Sequence, residues 1–136
     1  MKDIPILFEN RDVLIFNKPA GLAVQGGKGV GVSLDSLLAE NFNPRPLLVH
    51  RLDKDTSGII LVAKHKDAAS RFSALFSGGQ GIKKQYLAIC AGKPKNDSGT
   101  IKLDLEIQGK TKKSETFYKT LSYTQDFSLL DRKSVV

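Results

Sequence analysis

From Thr100 to Ile107 apolar and polar residues alternate without a break: Thr-Ile-Lys-Leu-Asp-Leu-Glu-Ile. Successive side chains on a strand point to opposite faces, so a period of two marks a sheet with one face wet and the other dry. A helix would need apolar positions every three or four residues and cannot use this pattern. Further strands are read at Ile6 to Phe8 and Val13 to Phe16, an antiparallel pair across the turn-prone Glu9 to Asp12, and at Gly58 to Ala63, Lys84 to Ala91, Thr116 to Tyr123 and Phe127 to Leu130. Helical spacing is confined to two places. Ser33 can cap a helix whose Leu34, Leu37 and Leu38 share a face, and Ala68 to Phe76 offers Phe72, Leu75 and Phe76 to a core before Gly78 and Gly79 end it. This order of elements predicts an α+β fold, a mixed and mainly antiparallel sheet with a few helices packed on one side, rather than a βαβ winding.

At 136 residues the chain is of a size for one domain, spanning 1–136, with a core of its own. Lys and Arg total 21 against 14 for Asp and Glu, a net charge of +7 that favours an anionic partner. Phosphate chains attract such surfaces by releasing counterions, although charge alone does not separate nucleic-acid binders from other basic proteins. The clusters Lys83-Lys84, Lys93 with Lys95, and Lys110 with Lys112 and Lys113 are individually ordinary solvated faces. Cys90 is the one cysteine and lies in the apolar run Tyr86 to Ala91, where a small core residue is a better reading than a nucleophile. No disulfide framework is available within the chain. The start Met1-Lys2-Asp3-Ile4-Pro5 has no apolar signal core and no run approaches a membrane span, so a soluble, cytoplasmic protein is expected.

Two segments could hold chemistry. Gln25 to Gly31 is glycine-rich, but it satisfies neither the Walker nor the dinucleotide spacing, and no Lys-Ser or Lys-Thr closes it; it reads as a loop. His50-Arg51-Leu52-Asp53-Lys54-Asp55-Thr56-Ser57-Gly58 is denser: a carboxylate beside Arg51 and Lys54, ahead of a Thr-Ser-Gly turn, between two apolar strands. Taken alone, it reads first as a surface loop with solvated ion pairs. His50 and His65 have no ligand cluster around them, and His65 reads as a surface residue after a strand.

The phrase His50 to Gly58, followed by Ile-Ile-Leu-Val-Ala-Lys, closely resembles the signature of RluA-type pseudouridine synthases. Asn17-Lys18-Pro19-Ala20-Gly21 upstream and Lys84-Gln85-Tyr86-Leu87-Ala88 with Gly92 downstream match in the order that family requires, and Leu22 to Gly27 is similar to the branch acting on large-subunit ribosomal RNA. The resemblance implies an isomerase that converts uridine to pseudouridine in structured RNA, working as a monomer without metal or organic cofactor. It implies Asp53 as the catalytic carboxylate, which attacks the ribose or assists glycosidic cleavage before the uracil rotates and rejoins through carbon. Tyr86 would stack on the target base, Arg51 would enter the gap left by the flipped nucleotide, and Lys18 would shape the floor of the site. Physical chemistry supports such a set: a stacked uridine must be extruded at a cost of a few kcal/mol, and a guanidinium plane or a phenol ring can replace the lost stacking.

Members of that family continue with Gly-Arg-x-His-Gln-Ile-Arg, whose arginine pairs with the aspartate. Here the pattern holds through Phe127 to Asp131, then diverges at Arg132-Lys133-Ser134-Val135-Val136. The expectation is the N-terminal portion of a catalytic domain without a separate RNA-binding module. Without that cation Asp53 would lack an opposite charge favouring its ionised form, and these residues alone are not expected to be robust catalysts. Two rivals stand beside this: a non-catalytic RNA-binding module, which would explain the charge, and a glycoside hydrolase using Asp53 and Asp55, which a basic surface disfavours.

Overall fold

A computed structural model of the protein describes residues 4–27, 29, 31–77, 82–107 and 109–135. Gly78 and Gly79, expected to end a helix, and Lys28 and Val30 of the glycine-rich loop lie outside the described residues. The chain forms two compact units, Met1–Gly81 and Ile82–Val136.

The first unit is a four-stranded sheet with two helices. Its strands are β1 (Ile6–Glu9), β2 (Val13–Lys18), β3 (Leu47–Leu48) and β4 (Gly58–Ala63); its helices are α1 (Leu34–Asn41) and α2 (Lys66–Ser77). The strand order is β1-β2-β4-β3, every pairing antiparallel. Alternation along β2 puts Leu14, Phe16 and Lys18 on one fully buried face, joined by Ile60 and Val62 of β4 and by Leu34 and Leu38 of α1. Phe16 meets Phe42 edge to face, ring centroids 6.4 Å apart. Ser33 caps α1 as expected: its Oγ accepts the Ser36 amide at 3.2 Å while Ser36 Oγ accepts the Ser33 amide at 3.0 Å. The Leu34 and Asp35 amides, otherwise orphaned at the helix start, donate to the Ala23 and Val24 carbonyls.

In α2 the residues facing β3 and β4 recur every four positions: Ala68 is buried and Phe72 and Phe76 are half-buried. Leu75 falls off that stripe and is exposed, so it does not join the core as the sequence suggested. His65, exposed at the head of α2, accepts the Ala68 amide through Nδ1. Its Nε2 lies 3.0 Å from Asp12, which also pairs with Arg71 at 3.1 Å. These contacts tie the start of α2 to the turn before β2. They hold the Asp12 carboxyl below its usual range, the hydrogen bond from His65 being the largest cause and partial desolvation opposing it.

The second unit is a separate four-stranded sheet of β5 (Tyr86–Ala91), β6 (Ser98–Ile107), β7 (Lys110–Tyr123) and β8 (Phe127–Val135), in the order β5-β8-β7-β6 and again antiparallel. The class is thus α+β, with the strands divided between two sheets. The alternating run lies in β6, but its apolar face is not dry: Ile101 is 45% and Leu103 59% exposed. A period of two fixes which side chains share a face; it does not supply a layer to cover them. Cys90 is free and half-buried on β5 rather than fully in a core.

Candidate active site

The loop from Arg51 to Ser57 leaves the sheet after β3 and returns at β4. Leu52 is buried and anchors it, while Arg51, Asp53, Lys54 and Asp55 are exposed around the anchor. The Thr56 amide donates to the Asp53 carbonyl at 3.1 Å, closing a turn around Lys54 and Asp55. Gly58 re-enters the sheet with φ +123, a backbone state that residues with a Cβ rarely adopt. The Asp53 carboxylate is therefore presented to solvent on a short, internally bonded loop.

Beneath that loop lies Lys18, fully buried at the end of β2 and opposite Gly58 in the register. Its Nζ donates to three carbonyls: Pro19 at 2.9 Å, Leu22 at 2.8 Å and Lys54 at 3.0 Å. An ammonium has three N–H donors, so the group is saturated by backbone alone. The Lys54 carbonyl also accepts the Gly21 amide at 2.9 Å, from a glycine held at φ +84. One residue beyond Asp53, the chain is thus bolted to the Lys18–Leu22 segment. Burial pulls the Lys18 pKa below its ordinary value, and the nearby Asp55 and Asp53 charges partly restore it. Those carboxylates offset some of the cost of keeping a cation out of water.

The structure brings Asp53, Arg51 and Lys18 together on one loop and its floor. Tyr86 belongs to the second unit, where it opens β5 and is half-buried opposite Arg132. The Arg132 guanidinium carbon stands 5.6 Å from the Tyr86 ring centroid. Beside them Gln85 donates to Asp131 at 2.8 Å. Arg132, where the sequence leaves the family pattern, is accordingly part of β8 and next to the aromatic residue in question. Among the described residues no group of three or more His, Cys, Asp or Glu side chains could hold a metal ion, and no helix is long and apolar enough to cross a membrane.

Sequence reasoning underrated two residues. Lys18 was legible, since the alternation Leu14, Phe16, Lys18 places a lysine on the dry face of a core strand. His50 has no ligand cluster around it in the sequence, yet its Nε2 accepts the Leu61 amide at 2.9 Å and its ring stacks on Phe76. Nothing in the sequence announces a side chain bonded to the backbone of a strand eleven residues away.

Comparison with known proteins gives a consistent picture. Residues 12–133 match the family model described as RNA pseudouridylate synthase. A protein of Rickettsia bellii named ribosomal large subunit pseudouridine synthase C is 39% identical over 104 residues, covering 74% of this chain and 34% of that protein. An uncharacterised RNA pseudouridine synthase of Zymomonas mobilis is 42% identical over 103 residues, covering 74% of this chain and 47% of its own length. Among solved structures, human RNA pseudouridylate synthase domain containing 4 superposes with a TM-score of 0.81 at 25% identity, over 96% of this chain and 59% of that one. The chain thus spans less than half the length of these two curated relatives.

Proposed function

We propose, since the chain belongs to the RNA pseudouridylate synthase family, that the protein isomerises uridine to pseudouridine in structured RNA, with large-subunit ribosomal RNA as the substrate. The observation that carries this is the placement of Asp53: an exposed carboxylate on a loop whose backbone is fixed by a fully buried lysine. A nucleophile must be accessible, ionised and held still, and this loop supplies access and rigidity together.

In the proposed reaction an Asp53 oxygen attacks C1′ of the extruded nucleotide. The N1–C1′ bond breaks and its electron pair leaves with the uracil. The ring turns, C5 bonds to C1′ as the carboxylate departs, and the C5 proton is lost while N1 regains one, so the product is an isomer of the substrate. Arg51, exposed beside Asp53, is suited to fill the vacated stack and to meet phosphate. Tyr86 is suited to hold the extruded base by stacking and to receive the final proton. The net charge of +7 supplies the long-range attraction to RNA. The relative named for large-subunit ribosomal RNA supports that substrate over transfer RNA.

Incubating the intact protein with unmodified large-subunit ribosomal RNA and mapping the modified positions tests this. Pseudouridine at one or a few uridines is expected. Release of free uracil or sugar, or RNA binding with no change at any uridine, would contradict it.

A further inference from the structure

The upstream stem of the Asp53 loop carries a hydrogen bond that the chemistry above does not use. β3 pairs with β4 only at Leu47 with Ala63 and Leu48 with Val62. Extending that register would set Val49 opposite Leu61, and the Val49 carbonyl would take the Leu61 amide in the next rung of the ladder. Instead the Leu61 N–H donates to Nε2 of His50 at 2.9 Å. A side chain completes the ladder where the main chain has already turned away. Without it the part-buried amide of a central strand would be left without its rung.

The ring is held in place for this task. It lies nearly parallel to Phe76 of α2, with centroids 3.9 Å apart and planes 18° from coplanar. Stacking fixes the plane of the imidazole, and the Leu61 amide fixes which nitrogen must carry a lone pair. An imidazole that accepts through Nε2 bears its proton on Nδ1 and is neutral; an imidazolium has no lone pair to offer.

We propose that His50 is a positioning residue of the Asp53 site: a neutral Nδ1–H imidazole that stands in for a backbone carbonyl and pins the upstream stem of the loop. Lys18 then fixes the loop just after Asp53 and His50 fixes it before, so the carboxylate sits between two anchors. His50 touches no reacting atom. Its effect on the reaction rests on the functional reading above, whereas its place in the ladder does not.

The intact protein, labelled with nitrogen-15, gives the first test without any substitution: the His50 ring is expected to show a bare Nε2 and a protonated Nδ1 at neutral pH, and the Leu61 amide to exchange slowly. His50→Gln, whose Oε1 offers an acceptor at similar reach, should keep that amide protected and keep kcat near that of the unsubstituted protein. His50→Leu should lose the protection and lower kcat for pseudouridine formation about a hundredfold at unchanged KM, the scale of a misplaced catalytic group. A protonated Nε2, a Leu61 amide equally protected in His50→Leu, or an undiminished kcat in that variant would each overturn the proposal. Absence of pseudouridine from the unsubstituted protein's reaction would instead overturn the functional reading, and the nitrogen and amide measurements would still decide the hydrogen bond on which the proposal stands.

Discussion

The two units solve the problem of a sheet in opposite ways. In the first, the strands are backed by helices, and among the described residues every buried apolar one but Leu130 lies there, from Ile4 and Val13 to Ala68. In the second, Leu130 is buried, whereas Ile89, on the same sheet, is 78% exposed. The second sheet also keeps buried hydroxyls at Thr120 and Ser128 without a partner among the described residues, whereas in the first the most costly buried group, the Lys18 ammonium, is fully bonded. The lesson is about where precision resides. The loop that presents the exposed Asp53 carboxylate is built on the core-backed unit, while the unit carrying Tyr86 relies on its backbone ladders.

Substitutions can break or sharpen this contrast. The largest effect is expected in the first core: Ile60→Ala should destabilise by about 2–5 kcal/mol in chemical denaturation, because it opens a cavity in a fully buried position. A loss below 1 kcal/mol would mean that the first core is no tighter than the second sheet. Lys18→Met comes next. It strips three carbonyls of one donor, and about 3 kcal/mol is expected from the unsatisfied acceptors. Because the folded Lys18 pKa is depressed, folding releases a proton between that lowered value and 10.5, so stability should rise with pH across this window; Lys18→Met should abolish that rise.

Asp12→Asn should act more gently. The folded Asp12 pKa lies below 3.8, so its contribution is present above that value and lost as pH falls through the lowered one. Acid unfolding followed by circular dichroism should therefore have a shallower onset in the variant, and an unchanged acid limb would count against the link between Asp12, His65 and Arg71. Smallest of all, Ile89→Lys should leave stability within about 0.5 kcal/mol, as expected where a side chain is already in water. A large loss there would mean that the open face of the second sheet is covered in solution.

Much of this was legible in the sequence. The β1–β2 pair, the Ser33 cap, β4 and the second helix follow from spacing and turn residues, which act locally. The loop bearing Asp53 was found by its density of polar groups between two apolar runs, and its family by motif. What stayed hidden was non-local. No pattern in residues 84–131 says that those strands close on themselves as a second sheet, since alternation assigns faces but not partners. Likewise the carbonyl of Lys54 that binds Lys18, and the amide of Leu61 that binds His50, belong to backbone whose position only folding determines.

In the proposed reaction one carboxylate, Asp53, is the nucleophile and its neighbour Asp55 is a bystander. Initial rates of pseudouridine formation by the intact protein, compared between Asp53→Asn and Asp55→Asn, test this directly. The Asp53 variant should lose roughly a thousandfold or more, the scale on which removing an enzyme's nucleophile acts, while the Asp55 variant turns over at a rate near that of the unsubstituted protein. Equal losses in both, or a fully active Asp53→Asn, would contradict it.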